Sequence, residues 1–141
     1  MDEERFKEAS KELNPLPCPF EKAILSRRWR CRKARRINIA EREAVGCTSA
    51  AAQRRCTAYL DILLEKARFV LRHTHGEELP HGKAMRLQGG GLSALREETG
   101  EDDIDILLSK ALERHGGLAH LPFDALIRGI ARYQGRPRRR P

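Results

Sequence analysis

Cys18, Cys31, Cys47 and Cys56 all fall within the first 56 residues of a 141-residue chain. Four thiolates are soft ligands in the number that a [4Fe–4S] cluster or a structural zinc takes. The successive spacings, twelve, fifteen and eight intervening residues, contain no Cys-x-x-Cys pair. The N-terminus, MDEERFKEASKEL, is acidic and amphipathic, without the basic start and apolar block of a secretory signal. A cytoplasmic, reducing setting is the resulting expectation, which leaves metal ligands or core thiols rather than disulfides. Cysteine is a common small core residue, and Cys56 suits that alternative on its own.

Convergence of the four thiols constrains the fold. On one unbroken helix, Cys18 and Cys31 would stand roughly 20 Å apart along the axis, and Cys47 and Cys56 about 13 Å. No ion or cluster bridges such gaps. A shared site therefore requires the first helix to be interrupted near residues 27–38. An unbroken helix there would also bury Arg27 and Asn38 beside Cys31, which is costly for an unpaired arginine. Arg27 is accordingly read as a neighbour that offsets the charge of a thiolate cluster.

Cys31 lies in the stretch RRWRCRKARR, residues 27–36, which carries seven basic groups and no acid. Arg28, Trp29, Arg32, Lys33 and Arg36 are expected to form an outward basic surface that meets an anionic partner. The formal charge of +8 sharpens that expectation, as do six further arginines in residues 128–140. Arginine outnumbers lysine 21 to 7, and its planar fork suits carboxylate and phosphate. The segment 97–105 carries six acids and no base, and would repel a polyanion approaching that end. An acidic redox protein is thus the expected partner. Nucleic acid, gripped through phosphate with Trp29 stacking on a base, is the alternative, with the cysteines then packed as core.

The remaining elements read as helices. Residues 2–13 form an amphipathic helix stopped by Asn14-Pro15-Leu16-Pro17. A helical hairpin follows, over about 19–45 and 48–72, the second arm capped by Thr48 or Ser49 and carrying Cys56 on its apolar stripe. Residues 73–91 read as loop, with Gly89-Gly90-Gly91 as a hinge. His73, His75 and His81 read as exposed loop residues rather than ligands. Shorter helices over 92–98, 101–115 and from Pro122 onward complete an all-α fold. One helical domain spans 1–134, with a four-cysteine half (18–72) and C-terminal helices (92–134). A disordered Arg/Pro tail occupies 135–141. No apolar run is long enough to cross a membrane, and no catalytic triad, carboxylate pair or phosphate-binding loop stands out. The expected function is that of a small metal-binding protein, not an enzyme. It holds an iron–sulfur cluster, or alternatively zinc, for electron transfer, redox sensing or docking to a redox partner.

Overall fold

The computed structural model describes residues 2–134. Helix α1 (Glu3–Leu13) starts at Asp2, whose carboxylate accepts the Arg5 N–H, and stops before the two prolines. The expected long first arm is only a single short helix, α2 (Glu21–Leu25). Arg27 then takes a φ of +68°, which no α-helix continues.

In place of a helix through residue 45, the chain forms an antiparallel β-hairpin of β1 (Ala34–Ile39) and β2 (Arg42–Cys47). The two-residue turn at Ala40 and Glu41 has φ of +48° and +71°, the left-handed pair that matches strand twist in a tight hairpin. β1 alternates apolar Ile37 and Ile39 with exposed Arg36 and Asn38. That alternation is the strand signal, short as it is. The segment before α2 adds a third rung: Cys18 N–H donates to the Val45 carbonyl, and Cys47 N–H to that of Leu16. The fold is therefore mostly helical with a small two-stranded sheet, a correction to the all-α expectation.

Helix α3 (Ala50–Leu71) is capped by Ser49, whose hydroxyl accepts the Ala52 N–H. It buries Cys56, Tyr59, Leu60, Leu63, Ala67 and Leu71 along one stripe. The expected glycine hinge is the middle of a further helix, α4 (His81–Thr99), which also absorbs the separate helix expected at 92–98. Helix α5 (Ile104–His115) is capped by Asp103 and closed by Gly116 in the left-handed region. Helix α6 (Phe123–Arg132) follows Pro122 and buries Leu126 and Ile130. These elements enclose an aliphatic core to which Phe20, Trp29 and Val45 also belong. Among the described residues no helix is long and apolar enough to cross a membrane. The expected disordered tail, residues 135–141, lies outside the described residues.

Gly89, Gly90 and Gly91 are buried within α4. A methyl group on Gly90 would stand 2.4 Å from the Ile130 Cα and 2.9 Å from the Gly129 carbonyl oxygen. Gly90 is thus where the α4 and α6 backbones touch, while Gly89 makes room for the Tyr133 ring and Gly91 for Leu63 and Tyr59 of α3. The packing gained offsets their poor helix propensity.

Opposite effects of one substitution follow. Gly90→Ala gains about 1 kcal/mol of helix propensity but meets backbone that cannot rotate away, an overpacking cost of about 1–3 kcal/mol or more. It should lower the urea midpoint. At Gly82, in the first turn of the same helix, an added methyl would find nothing within 4 Å. Gly82→Ala should raise the midpoint, a gain of up to about 1 kcal/mol.

Candidate metal centre

The breaks in the first arm bring the thiols together. The Cys18 segment docks against β2 through the Cys18 N–H to the Val45 carbonyl and the Cys47 N–H to the Leu16 carbonyl. Cys47 ends β2, in register with Ala34, and the Lys33 carbonyl accepts the next N–H, from Thr48, at 2.8 Å. Cys31 sits in the loop before β1, and Cys56 projects from the second turn of α3. All four line one partly open cavity of about 20 Å³, the space of roughly one water. The interruption near residues 27–38 that convergence demands is therefore present.

The loop bearing Cys31 is fixed by the start of α5. Ile104 N–H donates to the Arg30 carbonyl at 2.8 Å, and Arg32 N–H donates to the Asp103 carboxylate at 2.6 Å. Asp105, its side chain 4% exposed, accepts from Arg32 Nε at 2.7 Å and from Arg55 Nη2 at 2.5 Å. One buried carboxylate thereby ties the Cys31 loop to α3, one residue from Cys56. Burial pushes this carboxyl up, yet the hydrogen bonds and charges of Arg55 and Arg32 outweigh it and hold the pKa below the ordinary value.

The surroundings of the thiols act in two directions. Burial pushes Cys18 up to about 12 and Cys56 up to about 11, and it raises Cys31 as well. The charges of Cys31, Cys56 and Cys47 push Cys18 further in the same direction. Against this, the backbone N–H of Phe20 favours the Cys18 thiolate, and those of Lys33 and Asp105 the Cys31 thiolate. The Ser49 N–H donates to Cys47 Sγ at 3.5 Å. Three cysteines thus each receive an N–H from the residue two positions on, in a repeated turn geometry. Cys56, inside a helix, has no such donor and faces the guanidinium of Arg55, which pulls its pKa down against burial. Arg55 Nε is buried without a hydrogen-bond partner and belongs to the cavity wall. The cavity wall thus brings together four soft thiols, backbone N–H groups beside three of them, and the Arg55 guanidinium beside Cys56.

No known protein family, curated protein or solved structure matches the chain.

The arginine at the site is not the one expected. Arg27 is exposed, pairs with Glu43 at 3.0 Å and does not line the cavity. Its left-handed backbone ends the helix on which it would have shared a face with Cys31. Arg55 stands at the cavity instead. In the sequence it is one of two adjacent arginines on a helix, with Asp105, its partner, fifty residues away. Nor is the basic stretch one surface. Trp29 is 4% exposed, packed in the core beneath the Arg96 guanidinium, and cannot stack on a partner's base. Arg32 is held by Asp105 and Arg36 by Glu43, while Lys33 lines the cysteine cavity. Arg28 contacts Tyr133 and the Gln134 carbonyl. His75 is exposed, as expected, and His81 lies 2.9 Å from Lys22 Nζ. His73, expected on a loop surface, is instead buried. Among the described residues no three histidine, cysteine or carboxylate side chains are disposed to hold a single metal ion.

Two outcomes test this arrangement. Asp105→Asn leaves two arginines facing a neutral amide and should cost the metal-free chain about 2 kcal/mol in urea unfolding. That is less than the full penalty for a broken buried pair, because Arg32 is more than half exposed. Three of the thiols, with buried Tyr59, set the alkaline limit. Burial raises the folded pKa of Cys18, Cys31 and Cys56 above the ordinary 9.0, so the folded metal-free chain holds protons that the unfolded chain releases. Its stability should be full below about pH 9 and fall as pH rises toward 11–12. Cys18→Ser should flatten that decline in urea midpoints measured between about pH 8 and 11.

Proposed function

We propose that Cys18, Cys31, Cys47 and Cys56 hold an iron–sulfur cluster and that the protein serves as a redox carrier or sensor. The observation that carries this reading is the meeting of all four cysteines at one small cavity, from four separate stretches of chain. When bound, such a cluster supplies single-electron exchange. The chain's own contribution is to exclude water, to supply thiolates, and to offset their charge with backbone N–H groups and Arg55. Hydrogen bonds to the sulfurs and burial both set the potential of such a centre. Because burial favours the protonated forms of Cys18, Cys31 and Cys56, loading releases protons and is favoured by rising pH.

The choice of cluster over zinc rests on ligand disposition. One zinc ion draws four sulfurs to about 2.3 Å from a single point, and no three of the described side chains approach that arrangement. A cluster takes its thiolates on different irons and so spreads them. A multi-iron group needs more than the space of one water, so loading must displace part of the cavity wall. Zinc would not carry that cost, which makes it the sharpest competing outcome.

Protein purified without oxygen should be brown, with iron and acid-labile sulfide each near about four per chain for a [4Fe–4S] centre. Cys18→Ser and Cys31→Ser should each bleach it. Colourless protein with one zinc per chain would replace the cluster with a structural ion. Folded, metal-free protein with four reduced thiols would end the metal reading.

A further inference from the structure

Away from the cysteines, two polar hollows of about 300 and 270 Å³ adjoin one another and share Arg28, Trp29 and Arg96. Together they make a groove with five arginines on its walls, Arg27, Arg28, Arg30, Arg96 and Arg132, against two acids, Glu97 and Asp102. No groove residue belongs to the cysteine cavity. Arg96 lies flat over Trp29, its guanidinium 4.4 Å from the ring centroid, and forms the saddle between the hollows. Arg30 and Arg132 make no ion pair among the described residues. Gln134 stands at one end of the groove, and the sequence continues from it with Gly-Arg-Pro-Arg-Arg-Arg-Pro.

We propose that this groove binds the phosphodiester backbone of single-stranded nucleic acid. Two observations select this occupant over an acidic protein. The acidic segment 97–105, which should repel a polyanion, is largely neutralised within the fold. Glu98 pairs with Arg114 and His115, Glu101 with Lys110, Asp102 with Arg96, and Asp105 with Arg32 and Arg55. Asp103 is buried as a helix cap. The groove also lacks the apolar anchor that the centre of a stable protein interface requires. The large hydrophobic side chains that stand exposed, Leu13 and Phe69, both lie outside it. What remains is a concave surface on which Arg30 and Arg132 make no ion pair among the described residues. Beside them, Arg27 is paired with Glu43 and Arg96 with Asp102. Planar guanidinium forks grip phosphate oxygens in pairs. A flexible single strand can follow such a surface. A duplex presents its phosphates on a convex rod.

This inference does not rest on the metal reading and is tested on the full chain as purified. Trp29 is the single tryptophan and lies in the groove wall, so its fluorescence reports binding locally. Titration with a mixed-sequence 20-nucleotide single strand should shift that fluorescence with micromolar or tighter affinity at about 100 mM salt. Arg30→Ala and Arg132→Ala should each weaken binding by about two- to tenfold. Each should also lower the slope of log K against log salt by about 0.7, one phosphate contact on a single strand. Arg54→Ala, which removes the same charge from an exposed site on α3, should leave affinity within about twofold. The proposal is overturned if Arg54→Ala weakens binding as much as the groove variants do. It is also overturned if polyglutamate of matched charge binds as tightly, or if duplex of the same sequence binds more tightly than the single strand.

Discussion

A single buried carboxylate, Asp105, carries the architecture of the N-terminal half. It accepts from Arg32 on the Cys31 loop and from Arg55 on α3, two segments with no regular secondary structure in common. The cost of taking a carboxylate out of water is offset by two guanidiniums, so removing the carboxylate leaves the half-buried Arg55 without its charge partner. Around this junction the geometry is overdetermined. Asp103 and Ile104 clamp the same loop through backbone hydrogen bonds, and the α5 N-terminus favours negative charge there. Cys18, Cys31 and Cys47 are placed largely by backbone hydrogen bonds of their segments, and Cys56 by the packing of α3, which keeps the thiols in position without a ligand.

Much of the fold is legible in the sequence where a helix declares its ends. Ser49 and Asp103 cap α3 and α5, Gly116 stops α5, and the stripe through Cys56, Tyr59, Leu63 and Ala67 is buried as its spacing implies. The failures have physical causes. β1 is six residues long and rich in arginine, so its alternation is nearly drowned by charge. Three consecutive glycines speak locally for a hinge, and only the approach of α6, some forty residues later, makes a helix of them worthwhile. Tertiary contact overrides propensity at that point.

The candidate site is legible in a different manner. Cys18, Cys31, Cys47 and Cys56 can be picked out by chemistry, and the need for a break between Arg27 and Asn38 follows from helix rise alone. Which arginine stands beside them does not follow. A continuous helix would put Arg27 there, whereas Arg55 arrives through a tertiary ion pair that no local pattern records. Trp29 illustrates the same limit. Its neighbours are almost all charged, yet it is drawn into the core, and its ring becomes the floor on which Arg96 rests. A run of arginines in sequence is thus divided by the fold between structural pairing and open surface.

The hairpin has a consequence for how the chain tolerates change. Cys31 precedes β1 by three residues and Cys47 is the last residue of β2, opposite Ala34. The pair of strands acts as a caliper: the ladder register sets the distance and facing of two thiols from a turn at the opposite end. Strand side chains alternate faces, so a slip of one residue would point Cys47 away from the cavity while leaving most of the hydrogen bonds intact. The turn at Ala40 and Glu41 is exposed and outside the cavity wall, and surface turns ordinarily accept insertions. Here one added residue would be transmitted along both strands as an error in the site. Its length is therefore as much a part of the candidate centre as the cysteines are.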